Sequence, residues 1–251
     1  MDKLIYTAFN TLNNIYDNRS VRAQNMANVN VPGYRRDLGT KSVGSAFLDA
    51  ENTFQSRALA VRDDSNIFES EPGTLSQTGS DMDVALRGDG YFMVKGPGAP
   101  SLTRRGDLNV NNDGFLINGS KHVFLDKNLT PIKIGPYRSI QIADNGDIFV
   151  QPLGSEPGTK VLAATIGMTS GAGERLKKFE DGEIRAESGG LPLADQVPTI
   201  IQKHVELSNV NITEELVNTI EDQRAYEVNI KLISSASEAD EAGASLMRMP
   251  S

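Results

Sequence analysis

Apolar residues recur at three- and four-residue intervals at both ends of the chain, and this spacing predicts two amphipathic helices. The first covers about residues 3–28 and carries one apolar stripe formed by Ile5, Leu12, Ile15 and Met26. The second covers about residues 212–247, and its stripe is formed by Leu216, Ile220, Tyr226, Ile230 and Ile233. Because neither helix can bury its stripe alone, we expect the helices to pair with each other, with neighbouring subunits, or with both.

Local signals mark the inner ends of these helices. The segment NVNVPG (28–33) ends the first helix, because Pro32 cannot continue it and Gly33 tolerates a positive φ. Asn28 is expected to bond the backbone there, so Asn28, Pro32 and Gly33 are assigned to a turn or hinge. Asn211 is the expected N-cap of the second helix, since Glu214 follows three residues later as in a capping box.

The region between the helices shows a different pattern. From residue 82 to about 205, short apolar runs alternate with turns, which is typical of antiparallel strands. NNDG (111–114) and DNGD (144–147) predict hairpins with type I′ turns, and GERLKKFEDG (173–182) suggests a short helix. Residues 34–80 are rich in Ser, Thr, Gly and Asp and are expected to be extended and loosely structured.

Composition and charge narrow the function. The 251 residues carry a net charge of −8 and include no Cys and no Trp. The acidic balance argues against nucleic acid as a partner, because the arginine pairs Arg35–Arg36 and Arg104–Arg105 form no basic stripe along the chain. The lack of Cys excludes disulfides, thiol catalysis and Cys-ligated zinc. No apolar run is long enough to span a membrane, and the N-terminal residues do not form a secretory signal peptide.

Several short motifs suggest chemistry but are better explained as turns. Gly88-Asp-Gly90 lacks the third glycine and the helix of a dinucleotide loop. Residues 109–120 begin like a calcium loop but place Ser120 where a bidentate Glu is needed. His122 and His204 are the only histidines in the sequence, and no serine elbow or pair of carboxylates accompanies them. We therefore expect no enzyme, no cofactor and no metal.

Three separated segments of the chain resemble the motifs of a known protein family. AQNMANVNVPGYRR (23–36) is similar to the N-terminal signature of flagellar axial proteins, with Met26, Val31 and Tyr34 as mild departures from it. DMDVALRGDGYFMV (81–94), followed by residues 102–119, resembles the β-domain motif of the family. Residues 205–233 resemble its C-terminal signature, including Gln-Arg-Ala-Tyr at 223–226. Together these segments resemble the flagellar basal-body rod protein family. The opening MDKLIYTAF is most similar to its proximal-rod branch, and the distal-rod branch is the close alternative.

This resemblance implies an α+β fold, mainly β, in which long terminal helices pair as a coiled-coil-like inner domain. The expected divisions are 1–33 for the first helix, 34–80 for an extended connector, 81–205 for the β domain and 206–251 for the second helix. It implies a structural rod subunit that polymerises through its terminal helices, transmits torque and lines the export channel. Other rod proteins, further copies of the chain and the flagellar type III export machinery are the expected partners. The expected location is the periplasmic rod, reached without a cleaved signal peptide.

The assembly hypothesis rests on both apolar stripes together with Arg224 and Tyr226 of the tetrapeptide. Two alternatives stay open for these residues: the stripes can form an ordinary intrachain two-helix core, and Arg224 can simply be solvated. At the level of function, an enzyme would need a convergent polar site in the β domain. A soluble binding protein would instead be a stable monomer with protected helical ends.

Overall fold

The computed structural model describes residues 2–39, 42–48, 57–62, 67–156, 158–179 and 181–247. Two helices, α1 (Asp2–Ala27) and α2 (Ile212–Met247), flank a series of antiparallel strands. The predicted fold class is confirmed to this extent: the protein is mainly β, with one helix near each end. The chain divides into two compact units, which we call the helical unit (Met1–Ala27, Asp37–Ile67 and Asn211–Ser251) and the β unit (Asn28–Arg36 and Phe68–Val210).

The helical unit contains more than helices. Strands β1 (Ser42–Leu48) and β2 (Arg57–Arg62) form an antiparallel pair that lies against α1. The expected extended connector over 34–80 therefore includes paired strands, and parts of it, Phe54 among them, lie outside the described residues. Residues 28–36, which the expected boundaries divided at position 33, group with the β unit because their backbone bonds to it, as at Gly33 N to Glu206 O (2.7 Å).

The β unit is built from short antiparallel strands. They are β3 (Leu75–Gln77), β4 (Val84–Arg87), β5 (Tyr91–Lys95), β6 (Pro100–Thr103), β7 (Leu108–Val110), β8 (Leu116–Asn118), β9 (Val123–Phe124), β10 (Tyr137–Ile142), β11 (Asp147–Pro152), β12 (Val161–Thr165), β13 (Met168–Thr169), β14 (Leu176–Lys178), β15 (Ile184–Ala186), β16 (Thr199–Gln202) and β17 (His204–Glu206). The largest sheet has the order β14-β15-β6-β5-β9-β8-β7, and β13 also pairs with β5. A second sheet has the order β10-β11-β12, and the pairs β16–β4 and β17–β3 complete the unit.

Strand β5 lies at the centre of the β unit because both of its faces are buried. Phe92 and Val94 point into the larger apolar cluster, whereas Tyr91 and Met93 point into a second one. Successive side chains of a strand point to opposite faces, so a continuous apolar run is what a strand between two cores requires. Burial on both sides makes β5 the strand around which the remaining strands pack.

The two predicted hairpins form, but with a different turn. NNDG joins β7 to β8 and DNGD joins β10 to β11, and in these turns only Gly114 (φ 84°) and Gly146 (φ 91°) have a positive φ. A type I′ turn requires two such residues, so the predicted turn type is wrong. Each loop instead ends with glycine in the left-handed region, the arrangement of a three-residue hairpin loop. Asn111 Oδ1 supports the first turn by accepting bonds from the amides of Asp113 and Phe115.

Two other local predictions have opposite outcomes. The described residues of 173–182 do not form a helix, because Leu176–Lys178 pairs with Ile184–Ala186 as a β hairpin that joins the main sheet. The N-cap of α2 is confirmed: Asn211 Oδ1 accepts the amides of Thr213 (3.0 Å) and Glu214 (3.3 Å). The cap was predictable because it depends on neighbouring residues alone, whereas the hairpin depends on β6, far away in sequence.

Candidate functional site

Helices α1 and α2 run antiparallel and meet through polar side chains. Asn25 Nδ2 donates to Glu215 Oε1 (3.1 Å), and Arg22 Nε pairs with Asp222 Oδ2 (2.6 Å). Contacts nearer the N-terminus of α1 therefore lie nearer the C-terminus of α2, as antiparallel helices require. Glu215 is 1% exposed although it is charged. The face that α2 presents to α1 is therefore not its apolar stripe.

The apolar stripe of α2 lies largely in solvent. Leu216 is 50% exposed, Ile220 56%, Ile230 43% and Tyr226 39%, while Ile233 is half-buried. Arg224 is exposed, and so are further large apolar side chains of the same helix: Val217, Val228, Leu232 and Leu246. Single exposed apolar residues are common on protein surfaces, whereas α2 exposes a series of them along its length.

The predicted stripe of α1 is placed differently. Ile15 is buried, at 7% exposure, and Ile5, Leu12 and Met26 are half-buried within the helical unit. The structure therefore covers the α1 stripe inside the subunit and leaves most of the α2 stripe uncovered. The assembly role of these residues stays a prediction, and of the two predicted stripes that of α2 is the more exposed.

The predicted turn residues belong to the β unit. Val31 N donates to Asn28 O (3.0 Å), and the chain then passes through Pro32 to Gly33 at φ 67°. A Cβ on Gly33 would lie 2.4 Å from the carbonyl carbon of Arg104, so no side chain fits at this point. Both the positive φ and the close backbone approach require glycine here.

Next to this turn, two arginines and a glutamate form a buried ionic cluster that sequence reasoning missed. Glu206 Oε1 lies 2.9 Å from Arg35 NH1, and Glu206 Oε2 lies 2.8 Å from Arg104 Nε. All three side chains are at most 3% exposed. Gly73 N also donates to Glu206 Oε1 (2.9 Å), and Arg35 donates to the carbonyl of Glu71. We call this arrangement the Glu206 cluster.

The electrostatics of the Glu206 cluster favour fixed charges. Arg104 donates to the carbonyl oxygens of Gly90 and Gly88, each at 2.8 Å. Burial lowers the pKa of the Arg104 guanidinium below its ordinary value, while the Glu206 carboxylate acts in the opposite direction. Burial likewise raises the pKa of the nearby Tyr91 phenol. Arginine stays protonated in proteins, so the cluster is a permanent ionic joint and not a proton-transfer site.

Asn209 joins the same segments through its side chain. Its Oδ1 accepts the amide of Arg36 (2.7 Å), and its Nδ2 donates to the carbonyls of Glu71 (2.9 Å) and Glu69 (3.3 Å). Asn209 and the Glu206 cluster therefore tie residues 28–36, 68–75 and 204–210 together within the β unit. The available sequence signal was charge inside apolar context, since Glu206 lies between Val205 and Leu207.

Within the described part of the chain, no three His, Cys, Asp or Glu side chains are grouped so that they could hold a metal ion. Among the same residues, neither helix combines the length and hydropathy that crossing a membrane requires. His122 is held by Glu183, with Nδ1 3.2 Å from Oε1, and His204 Nδ1 lies 3.0 Å from the carbonyl of Gln202. The two histidines thus take part in separate local contacts.

Known proteins resemble the chain over both its strands and its C-terminal helix. Residues 85–150 match the family described as flagellar hook protein FlgE/F/G D1 domain, and residues 201–246 match that described as flagellar basal body rod FlgEFG protein C-terminal. The flagellar basal-body rod protein FlgF of Salmonella typhimurium is 28% identical over 99% of this chain and 100% of that protein. FlgG of Buchnera aphidicola subsp. Baizongia pistaciae is 34% identical over 87% of this chain and 90% of that protein. FlgF of Mesorhizobium japonicum is 30% identical over 88% of each.

These matches extend over both units of the protein. Because the proteins of this family are structural, the prediction that the chain is not an enzyme is confirmed. The matches also place it among the components of the flagellar basal-body rod. The chain belongs to the flagellar basal-body rod protein family and is a structural subunit of the rod.

Proposed function

We propose that the chain is a proximal-rod subunit that polymerises through its terminal helices. The observation that carries this proposal is the exposed apolar stripe of α2, formed by Leu216, Ile220, Tyr226 and Ile230. A subunit of a rod needs a surface whose burial drives assembly, and this stripe places apolar side chains on one side of a helix that α1 leaves uncovered.

The size of the effect is sufficient for repeated assembly. Each of these side chains is about half exposed, and burying the exposed half of such a side chain contributes roughly 1 kcal/mol. Four or more such residues per contact would supply several kcal/mol against the entropy lost on association. A head-to-tail contact that repeats without closing on itself produces a helical filament, which is the symmetry of a shaft.

Two comparisons bear on which part of the rod the chain forms. The FlgF relative of Salmonella typhimurium matches the whole chain, which supports the proximal rod. A FlgG relative is more identical over a shorter share of the chain, which keeps the distal rod as the alternative. The opening MDKLIYTAF favours the proximal assignment.

The remaining parts of the proposal follow from the resemblance. We propose that α1 and α2 pair as a coiled-coil-like inner domain that lines the export channel. The type III export machinery would deliver the subunit to the periplasm without a cleaved signal, and the assembled subunits would transmit torque. The Glu206 cluster supports the torque role, since permanent buried ion pairs hold the segments of the β unit in one arrangement.

In-cell photo-crosslinking tests the proposal. A photoreactive residue replaces Ile220 or Tyr226 on the stripe, and a control variant carries it at the exposed turn residue Asp113. We expect adducts between the stripe positions and rod proteins, including copies of the chain, at several times the yield from position 113. The identity of the captured neighbours separates proximal from distal placement. Equal yields from stripe and control, or adducts without any flagellar protein, would overturn assembly through α2.

A further inference from the structure

The face of α2 that lies towards α1 repeats every seven residues. Glu215, Asp222, Asn229 and Ala236 are each less exposed than their flanking residues. A seven-residue repeat places side chains on one helix face, and apolar residues usually fill that face in helix pairs. On this face of α2 the first three positions are two acids and an amide, so polar side chains occupy positions that are usually apolar.

Arg22 of α1 contacts two of these positions at once. Its Nε lies 2.6 Å from Asp222 Oδ2, and its NH1 lies 3.5 Å from Glu215 Oε2. Asn25, one turn further along α1, donates to the other carboxylate oxygen of Glu215 at 3.1 Å. Arg22 is 21% exposed and Asp222 16%, so solvent screens these contacts only in part.

A slide of one helix along the other breaks this arrangement. If α1 moves one heptad towards the C-terminal end of α2, Arg22 lies between Asp222 and Asn229 and loses its contact with Glu215. If α1 moves one heptad the other way, Arg22 keeps Glu215 but loses Asp222. The observed register is therefore the one of these three in which Arg22 reaches both carboxylates.

We infer that Arg22 is a positioning residue that fixes the register of α1 on α2. Selecting one register is the best-attested use of polar groups buried between helices. The consequence for the rod rests on the proposed function, because register decides which α1 residues flank the exposed stripe of α2. The register itself is a property of the single chain and can be measured without assembly.

Paired cysteines can read this register because the chain contains no cysteine of its own. Thr11 precedes Asn25 by two heptads and Asn229 follows Glu215 by two heptads, so antiparallel helices of equal rise bring Thr11 level with Asn229. The pair Thr11→Cys/Asn229→Cys therefore reports the observed register, and Thr11→Cys/Ala236→Cys reports a slide of one heptad. One heptad is about 10 Å along a helix, which exceeds the Cα separation of roughly 7 Å that a disulfide tolerates.

Both cysteine pairs are oxidised in the purified full-length protein with and without Arg22→Met. In the parent we expect the 11–229 disulfide to exceed the 11–236 disulfide at least tenfold. In Arg22→Met we expect the two yields to come within about threefold of each other. Arg19→Met is the matched control, because Arg19 is an exposed arginine on the same helix, and it should leave the parent ratio unchanged.

A second variant covers the case in which Arg22→Met unfolds the helix pair because the buried Glu215 carboxylate loses its contact with Arg22. Arg22→Met/Glu215→Met removes the buried carboxylate as well, and with it the bond from Asn25, so the helices stay paired but lose both polar contacts that select a register. We expect mixed disulfides here as well. An unchanged preference for the 11–229 disulfide in this variant overturns the inference, as does its absence in the parent. Neither result depends on rod assembly, so failure of the proposed function is distinguishable from failure of this inference.

Discussion

Replacing Glu206 with glutamine removes the carboxylate that lies between two buried guanidinium groups. The structure places Glu206 oxygens 2.9 Å from Arg35 and 2.8 Å from Arg104, with all three side chains almost fully buried. Removing one partner of a buried ion pair typically costs about 3–5 kcal/mol, because the remaining charge stays desolvated without compensation. For a unit of roughly 150 residues this corresponds to a decrease in melting temperature of about 6–20 °C.

Chemical denaturation of the full-length protein, followed by the β signal in circular dichroism, measures this change. Glu156→Gln is the matched control, because Glu156 is an exposed glutamate of the same unit and its substitution should stay within about 0.5 kcal/mol. A decrease below about 1 kcal/mol for Glu206→Gln would show that the cluster is hydrated, and the reasoning from burial would fail.

The double variant Arg35→Met/Glu206→Gln tests the cause of the effect. If the cost comes from uncompensated charge, the double variant loses less stability than the sum of the two single variants, by at least about 1 kcal/mol. If the single effects add, the loss comes from independent contacts and not from an ionic joint.

Three further predictions concern other parts of the protein. Asn14 buries both side-chain amide atoms without a hydrogen-bond partner, so Asn14→Leu should raise the free energy of unfolding of the helical unit by about 1–3 kcal/mol. Hydrogen exchange of the α1 amides measures this change, with the exposed Asn13→Leu as the control. A lower free energy of unfolding in Asn14→Leu would refute the prediction. Gly33→Ala should cost about 1–3 kcal/mol more than Gly79→Ala in denaturant unfolding, because both have a positive φ but only Gly33 faces crowding backbone; equal costs would refute crowding. The hydrogen bond from Arg185 holds the pKa of Asp181 below its ordinary value of 3.8. The stabilisation by Asp181 is therefore present above pH 3.8 and lost as pH falls through the lower folded-state pKa, so the melting temperatures of the parent and Asp181→Asn should converge at low pH. A constant difference would contradict this cause.

Features that depend on near neighbours were predictable from the sequence. The Asn211 cap, the hairpins at residues 111–114 and 144–147 and the strand character of the middle region all follow from short-range chemistry. The Glu206 cluster was not, because Arg35, Arg104 and Glu206 meet only after strands distant in sequence have paired. Sequence shows that such charges lie in apolar context, but it does not show which of them share a site.

The helix faces show a different limit. Periodicity correctly groups Leu216, Ile220 and Ile230 on one side of α2, but a period does not state which neighbour covers that side. The structure gives α1 the polar face that carries Glu215 and Asp222 instead. An apolar stripe predicts that one side of a helix is buried, but the surface that buries it can belong to the same chain or to a neighbouring subunit.

The two units differ in whether their charged and apolar side chains find partners within the subunit. The β unit pairs its most deeply buried charges internally and packs apolar clusters on both faces of β5. The helical unit pairs its helices through polar contacts and leaves the large apolar side chains of α2 in water. Because burial of apolar surface is the main favourable term in association, we expect a rod subunit organised in this way to gain most of its assembly free energy in the helical unit. Substitutions in the β unit should then act mainly on the stability of the subunit, and substitutions on the α2 stripe mainly on its incorporation into the rod.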